Sequence, residues 1–494
     1  MSHHSDRLPP ADAAFLYLET DQAPLHIGSV SVIDGEIPFR DYVDFIEAKL
    51  PLVPRYRQRL VIPPFNAGYP TWENDPDFDI RNHIFHARLK RGTQAELRAL
   101  AARIFTQRMD RGKPLWDLTL VDGLGHGHSA FISRVHHCLV DGVSGVGIIN
   151  VMLSEKRESQ KPPKAEPFRA APLPDPMLSL LDALSSSFFE TADRILSAQE
   201  AALNVAQSLV ANQFRTGGNP VSPLIPEILA PIDRLPFNQP VRGPRQLFWT
   251  EIPIAQVSAI RQALGGTLND VMLATVTTAV ARYAEMHGEP LQNRRLRLMV
   301  PVNLRQDGPG LGNRISVLPV DVPLDISDPA ELLKTIHQRT QSLKGARVSD
   351  WMLLAASWLG LTPAPLFAAV GPYLSNSLPL PVFNMVCTNV PGPQHPLYLL
   401  GREMLTFHPY VPIGNDMGVG CAIQSYNGKL YIGFTADTAA APDGARLADF
   451  VDQAFAEIRR AAGSSEAPRE HSGKVAPELP AAIEEPAALA HSSR

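Results

Sequence analysis

The chain has few cysteines and a small net charge, which argue against a disulfide-stabilised or zinc-ribbon protein and against a nucleic-acid-binding protein. Its 494 residues include three cysteines, Cys138, Cys387 and Cys421, without CxxC spacing, which argues against a disulfide framework or a zinc ribbon and favours a reducing compartment. Its 45 basic and 50 acidic residues give a formal net charge of −5, so no overall positive field is available to hold nucleic acid. The N-terminus lacks the basic start and unbroken apolar stretch of a signal peptide, so we expect a cytoplasmic protein.

One long stretch has no charged side chain at all. No Asp, Glu, Lys or Arg occurs from Trp351 through Gly401. Prolines interrupt this stretch so often that an apolar helix of about 20 residues, the length that crosses a bilayer, does not fit. We interpret the stretch as buried core or as a surface that faces something apolar, and both interpretations stay open.

Strand-like and helix-like patterns occur in both halves of a chain that is long enough for two or three domains. Residues 117–137 contain two apolar segments around a Gly-rich turn and predict a β-hairpin, with His126 and His128 as solvated residues of the turn. Residues 161–240 begin Pro-rich and continue with apolar residues at helical spacing, which predicts a linker and a docked helix.

The C-terminal half carries the clearest helix pattern. The segment TLNDVMLATVTTAVARYAEMHG predicts an amphipathic helix that begins with a capping box of Thr267 and Asp270 and stops at Gly288. The sequence RQLFWTEIPI before this helix, and LRLMVPVNLR and GKLYIGFTAD after it, predict strands, and a last amphipathic helix carries Leu447 and Ile458. The fold class is therefore mixed α/β, with expected segments at 1–160, 161–240 and 241–463 and a disordered tail at 464–494.

The segment RVHHCLVDG, Arg134–Gly142, lies between a predicted strand and a predicted helix. Adjacent histidines on an extended chain point to opposite sides, and no ligand cluster lies nearby, so we expect no metal site. The nearest string to the nucleophile elbow of a serine hydrolase, GVSGV, has its second glycine one place early. Cys138 could be a thiol nucleophile, but cysteine is most often a small buried apolar residue.

Two interpretations of this segment stay open on the residues alone. A neutral imidazole, with an ordinary pKa of about 6.5, could take the proton of an alcohol as it attacks an activated thioester. In that interpretation His137 is the base, Asp141 organises the loop and Gly142 lets the backbone turn tightly. The other interpretation gives these residues a structural role only.

HHCLVDG resembles the HHxxxDG signature of the CoA-dependent acyltransferase superfamily, which includes chloramphenicol acetyltransferase and the condensation domains of peptide synthetases. More narrowly, the chain resembles the bacterial wax ester synthase/acyl-CoA:diacylglycerol acyltransferase family. The supporting strings occur in that family's order: DAAFLYLE with PLHIGSV, PLW at Pro114–Trp116, ND at Asn269–Asp270, PVNLR with GNRIS, and NVPGP at Asn389–Pro393. This ordered set covers most of the chain, from Asp12 to about Arg460.

The resemblance implies two chloramphenicol-acetyltransferase-like subdomains, each a mixed sheet flanked by helices, with a channel between them and the histidines at its midpoint. It implies that His137 is the general base and that His136, Asp141 and Gly142 shape its loop. The further site residues that it implies are Asn269 as a possible partner of the oxyanion, Asp270 beside it, Arg305 as partner of Asp141, and Pro114, Leu115, Trp116 and Asn389 in substrate binding. The residues themselves also allow a helix cap at Asp270 and a strand-start anchor at Pro114–Trp116.

The implied reaction moves a long-chain acyl group from acyl-CoA to a fatty alcohol or a diacylglycerol, without a covalent intermediate, metal or cofactor. Each buried methylene contributes about 0.8 kcal/mol, so an apolar tunnel binds long chains well but separates adjacent lengths poorly, and we expect broad acyl specificity. The uncharged stretch is a candidate for part of the tunnel or for a membrane-facing mouth. The resemblance also implies peripheral association with the inner membrane or with lipid inclusions.

The sequence also contains a basic region, and it leaves three alternatives to the implied function open. The sequence from Arg81 to Lys113 contains nine basic and two acidic residues. These basic residues could bind CoA phosphates, bind anionic headgroups or form a solvated face. The spacing from His136 to Asp141 also fits the HxxxxD pattern of membrane glycerolipid acyltransferases. Condensation on a carrier-protein thioester and a non-catalytic lipid-binding scaffold are the remaining alternatives.

Overall fold

The computed structural model describes residues 6–140, 147–157, 168, 172–185, 199, 203, 230–303, 315–345, 361–377 and 383–463. The helices are α1 Pro10–Leu18, α2 Phe39–Lys49, α3 Gln94–Thr106, α4 Ile148–Met152, α5 Ile254–Leu264, α6 Leu268–Met286, α7 Pro329–Gly345, α8 Ala364–Ser377 and α9 Ala445–Ala461. The strands are β1 Asp6–Arg7, β2 His26–Ile33, β3 Gln58–Val61, β4 Thr71–Asn74, β5 Ile84–Arg88, β6 Trp116–Leu124, β7 His128–His136, β8 Arg245–Pro253, β9 Arg295–Asn303, β10 Ile315–Pro323, β11 Met385–Val390, β12 Tyr398–Leu399, β13 Arg402–Tyr410, β14 Val419–Tyr426 and β15 Lys429–Asp437. The predicted tail at 464–494 lies outside the described residues.

The N-terminal half is built on a six-stranded mixed sheet in the order β12-β13-β2-β7-β6-β5. The predicted hairpin is confirmed, because β6 and β7 pair antiparallel around the turn Gly125–Gly127. In that turn His126 is exposed and has a positive φ of 65°, as expected for a solvated loop residue. The central strand β7 is buried along nearly its whole length, and it delivers His136 to its C-terminal end.

The C-terminal half has its own six-stranded mixed sheet in the order β10-β9-β11-β14-β15-β8, in which β11 runs parallel to both neighbours. Helix α6 is buried against this sheet and contacts α5, α7 and α9. The predicted capping box is confirmed, because the Thr267 side chain and Asp270 exchange hydrogen bonds at the start of α6. Gly288 follows the helix with a φ of 76°, which a glycine adopts readily.

Two strands of the C-terminal half, β12 and β13, belong to the N-terminal sheet. Strand β13 pairs antiparallel with β2, so that Tyr410 lies opposite Gly28. A Cβ atom at Gly28 would stand 2.3 Å from the carbonyl oxygen of Ser133 on β7, and therefore only glycine fits where these three strands meet. The two halves thus share a sheet, which the strand patterns of the sequence did not predict.

The uncharged stretch from Trp351 to Gly401 is described in part, and its helix α8 is two-sided. Phe367 and Ala364 are buried in the core of the N-terminal half, whereas Leu366 and Tyr373 are exposed. The core interpretation therefore holds for one face of this helix, and what its exposed face meets stays a prediction. Every helix within the described ranges is too short or too polar to cross a bilayer.

Candidate active site

His137 begins a short 3-10 turn, His137–Leu139, directly after β7. Its backbone N–H donates to the carbonyl oxygen of Leu25 at 3.0 Å, which ties the turn to the segment before β2. Its ring lies flat against Phe15 of α1, with 3.7 Å between the ring centroids and 10° between the planes. The end of β7 and the helix α1 therefore fix both the position and the orientation of this imidazole.

The surroundings of His137 keep its ring uncharged. Burial lowers the pKa of His137 to about 4. Its Nδ1 atom is buried and has no hydrogen-bond partner in any other residue that the structure describes. At neutral pH the ring is therefore a free imidazole that can accept a proton.

His136 points the other way, into the core, and is fully buried. The backbone N–H of Cys138 donates to its Nδ1 at 3.2 Å, so Nδ1 carries the lone pair and the ring proton sits on Nε2. Nε2 in turn faces the Oε1 atom of Glu19 at 3.4 Å. His136 therefore caps the 3-10 turn that presents His137.

Glu19 joins the segments around this turn, and sequence reasoning missed it. It is 5 % exposed, accepts from the backbone N–H of Leu25 at 3.1 Å, and is paired with Arg108 at 3.1 Å and Arg111 at 2.8 Å. Burial alone would raise the pKa of Glu19, but the facing His136 ring and the Arg111 guanidinium lower it well below its usual range. Its only sequence signal was a place at the end of the family-like string DAAFLYLE.

The cluster around Glu19 also uses two cations of the basic region. Arg108 and Arg111 are bound to a buried carboxylate, and Arg111 donates as well to the carbonyl oxygen of Leu16 in α1 at 2.6 Å. These two arginines therefore fasten α1 to the loop after α3. Which of the other basic residues contact CoA or a headgroup stays a prediction.

Cys138 has the environment of a packing residue. It is 3 % exposed, and its sulfur lies 2.9 Å from Nδ1 of His136. Burial raises the pKa of the Cys138 thiol well above its ordinary value. Because the thiolate is the nucleophilic form, a protonated buried thiol is poorly suited to attack a thioester.

Three of the expected site residues cannot be placed. Asp141, Gly142 and Arg305 lie outside the described residues, so their roles stay predictions. The access channel stays a prediction for the same reason, because residues 141–146 follow the histidine turn directly. A cavity of about 520 Å³ does lie between α3 and β8, but His137 is not among its lining residues. Within the described residues no cluster of three or more His, Cys, Asp or Glu side chains could hold a metal ion.

The segment Pro114–Trp116 lies directly beside the histidines. The carbonyl oxygen of Leu115 accepts the backbone N–H of His136 at 2.9 Å. The Trp116 indole is 2 % exposed, stacks on His83 with 4.7 Å between centroids, and donates to the carbonyl oxygen of Tyr56 at 2.7 Å. These contacts give the segment a strand-start anchoring role, and its part in substrate binding stays a prediction.

In the C-terminal half the structure brings Asn269 and Asn389 together. The Asn389 side chain, at the end of β11, donates to the Oδ1 atom of Asn269, at the start of α6, at 3.1 Å. This bond orients the Asn269 amide and uses its oxygen, which leaves its N–H₂ group as the donor for a substrate atom. Neither side chain is fully buried, so both can be reached from outside the core.

Asp270, unlike Asn269, makes contacts that stabilise the fold. It is 1 % exposed and, besides capping α6, binds His337 at 2.8 Å and Thr340 at 2.9 Å on α7. Burial would raise the pKa of Asp270, but the hydrogen bonds of His337 and Thr267 lower it. Its contacts therefore hold α6 and α7 together, and they favour the capping interpretation.

Comparison with known proteins identifies the family to which this chain belongs. The model of the wax ester synthase/diacylglycerol acyltransferase catalytic domain matches residues 8–272, and that of the family's C-terminal domain matches residues 311–459. The chain belongs to the wax ester synthase/diacylglycerol acyltransferase family. It is therefore an acyltransferase of the wax ester and triacylglycerol type, as the order of its motifs predicted.

Individual relatives of this acyltransferase agree with the family match. A Mycobacterium tuberculosis protein named as a probable diacylglycerol O-acyltransferase is 29 % identical over 462 residues, which cover 92 % of this chain and 96 % of the relative. The solved wax ester synthase/diacylglycerol acyltransferase of Marinobacter aquaeolei VT8 is 25 % identical with a TM-score of 0.64, and the match covers 92 % of this chain and 99 % of that one. The first condensation domain of the calcium-dependent antibiotic synthetase shares the fold, with a TM-score of 0.57 at 14 % identity over 94 % of this chain and 97 % of that one. The predicted fold of the superfamily is thereby confirmed.

Proposed function

We propose that this acyltransferase moves a long-chain acyl group from acyl-CoA to the hydroxyl of a fatty alcohol or a diacylglycerol, with His137 as general base. The observation that carries the proposal is the neutral imidazole of His137, held flat against Phe15 at the end of β7. The names of the relatives, diacylglycerol O-acyltransferase and wax ester synthase, support this substrate class.

The acyl group passes directly from sulfur to oxygen in this proposal. Nδ1 of His137 is buried, so in this proposal Nε2 is the nitrogen that accepts the hydroxyl proton. As the acceptor oxygen bonds to the thioester carbonyl carbon, its proton passes to Nε2, and when the C–S bond breaks the imidazolium returns this proton to the CoA sulfur. No protein residue is acylated, and the enzyme ends in its starting protonation state.

The pKa of His137, about 4, determines when the hydroxyl proton can move relative to the formation of the C–O bond. A base this weak cannot remove the proton of an unreacted alcohol to any useful extent. The proton therefore moves as the new C–O bond forms, when the hydroxyl becomes acidic. The N–H₂ group of Asn269 is our candidate donor to the carbonyl oxygen as that oxygen gains negative charge.

Both proposed acceptors are water-insoluble, so the enzyme has to meet them at a lipid surface. We propose that it associates peripherally with the inner membrane or with lipid inclusions. Exposed apolar side chains such as Leu366 and Tyr373 on the uncharged helix α8 support this proposal.

The test is an assay of the purified protein with palmitoyl-CoA and either hexadecanol or a diacylglycerol. We expect free CoA to appear only with an acceptor and in equal amount to the neutral-lipid ester. Incubation with palmitoyl-CoA alone should leave the intact mass of the protein unchanged. Acylated protein, or CoA release without ester, would overturn the mechanism, and a strong preference for an acyl-carrier-protein thioester would overturn the choice of donor.

A further inference from the structure

Exposed apolar side chains are concentrated on three elements of the N-terminal half. Of the fifteen large apolar side chains that are exposed in the described residues, eight lie on the turn Pro64–Asn66, the helical segment 176–185 and α8. We call these eight the apolar face. Its members are Phe65, Met177, Leu178, Leu181, Leu184, Leu366, Val370 and Tyr373.

The three elements adjoin one another. The turn Pro64–Asn66 contacts α8. A Cβ atom at Gly68 would stand 3.1 Å from Cβ of Ala183, so the helical segment 176–185 packs directly beside that turn. The helix was expected to dock through its apolar spacing, but Ala183 is its buried residue, and Leu181 and Leu184 are 56 % and 58 % exposed.

Phe65 is held out into solvent by its backbone. It is 88 % exposed, more than any other large apolar side chain in the described residues, and has a φ of 58°. This left-handed conformation is unfavourable for a bulky residue and gains it no packing here. The hydrogen bonds of Asn66 to Pro63 and of Ala67 to Pro64 keep the turn closed, so the ring is presented rigidly.

The charge pattern of the apolar face favours an uncharged partner surface. Residues 60–72, which carry Phe65, contain no Asp, Glu, Lys, Arg or His, and residues 351–401, which carry α8, contain no Asp, Glu, Lys or Arg. On the segment 176–185 the one charged residue is Asp182, which pairs with Arg7 at 2.8 Å. Protein interfaces usually have a polar rim, whereas an uncharged face with aromatic tips suits the acyl-chain region of a lipid layer.

Helix α8, which carries three residues of the apolar face, packs on the helix that contacts the proposed base. On the inner side of α8, a Cβ atom at Gly371 would stand 2.5 Å from the carbonyl oxygen of Tyr17, and Phe367 packs on the Tyr17 ring at 5.4 Å. Tyr17 belongs to α1, the helix whose Phe15 stacks on His137. One short helix therefore separates the lipid-like surface from the proposed base.

We propose that the apolar face inserts into the acyl-chain region of a phospholipid bilayer and docks the enzyme beside its dissolved acceptor. This inference rests on the proposed function for its purpose, but the surface itself is testable separately. Because the face carries almost no charge, insertion depends on apolar burial and should respond little to salt or to anionic lipid.

The binding test is flotation with phosphatidylcholine vesicles that contain dioleoylglycerol. The variant combines Phe65→Asp, Leu366→Asp and Tyr373→Asp, and the control is Met286→Asp, an exposed apolar residue of α6 in the other half. We expect the triple variant to partition about a thousandfold less than wild type, because each of the three lost apolar contacts is worth close to a factor of ten. The control should float like wild type, and the far-ultraviolet circular dichroism of all three proteins should agree.

A second measurement uses a milder change at the same site. Phe65→Trp should shift the tryptophan emission to shorter wavelength when vesicles are added, whereas Met286→Trp should not. If the triple variant is folded and floats like wild type, or if the emission of the Phe65→Trp variant does not respond, the proposed surface is wrong. A concentration-dependent dimer in gel filtration that the triple variant abolishes would also overturn it, because the face would then bind a second copy.

Activity separates this inference from the proposed function. The readout is the rate with vesicle-borne dioleoylglycerol divided by the rate with a soluble short-chain alcohol and short-chain acyl-CoA. We expect this ratio to fall at least tenfold in the triple variant and to stay constant in Met286→Asp. A wild-type protein that floats but forms no ester with any acceptor would contradict the proposed function and leave the surface supported.

Discussion

His136 and His137 are neighbours in sequence with opposite environments. One ring points into the core and faces Glu19, and the other stacks on Phe15 and is uncharged at neutral pH. The opposite directions follow from the extended backbone at the end of β7, and sequence reasoning predicted them. The contacts with Glu19 and Phe15 could not be predicted, because no local pattern tells which distant side chain will meet a buried ring.

Glu19 should act on catalysis through position rather than contact with substrate. We expect Glu19→Gln to lower kcat about tenfold to a hundredfold with little change in KM, because a small displacement of a catalytic group is costly. Asp21→Asn is the matched control, since Asp21 pairs with the same Arg108 but its side chain is 80 % exposed. Steady-state kinetics with a saturating acceptor provides the check, and an equal loss in both variants would contradict the positioning role.

At the scale of elements, the sequence predicted the strands and helices better than their arrangement. The hairpin of β6 and β7, the capping box of α6 and the strands β8 and β15 follow directly from alternation, turn residues and capping chemistry. The insertion of β13 beside β2 did not, because a strand pattern gives the buried face of a strand but not its neighbour. The apolar spacing of the segment 176–185 predicted a docked helix, and Ala183 does pack beside Gly68, but the spacing did not show that Leu181 and Leu184 would be exposed.

At the start of α6, the capping residue Thr267 lies two positions before Asn269, the candidate oxyanion donor. Thr267→Ala removes one half of the capping box and should lower the free energy of unfolding by about 0.5–2 kcal/mol. It should leave kcat within about twofold of wild type, because the Asn269–Asn389 hydrogen bond is retained. Urea unfolding and steady-state kinetics measure the two effects, and a large loss of kcat at unchanged stability would show that the cap has a catalytic part.

At the scale of the whole molecule, buried histidines couple stability to pH. Burial lowers the pKa of His137 to about 4 and that of His408 to about 3, and it also lowers the pKa values of His26 and His83. In the unfolded chain each ring titrates near its ordinary value of about 6.5. Between the two values the unfolded chain binds more protons, so stability falls as pH drops from about 6.5 toward 4.

We expect unfolding at about pH 5 to cost clearly less free energy than at about pH 7. His137 and His408 alone should account for about 2 kcal/mol each over this range, because both stay neutral in the folded protein. Urea unfolding at several pH values tests this, and His408→Gln should flatten the dependence, whereas replacement of the exposed His126 should not. Stability that is constant or rises toward pH 5 would contradict the assignment of neutral buried rings.

The most direct test of the whole account compares His137→Ala with His126→Ala in the acyl-CoA and alcohol assay. Both remove one imidazole, but only His137 lies at the end of β7 against Phe15, whereas His126 is an exposed turn residue. We predict that His137→Ala loses a factor of about 10²–10⁴ in rate while it stays folded, and that His126→Ala keeps the wild-type rate. A folded His137→Ala protein that makes ester at the wild-type rate would contradict the account.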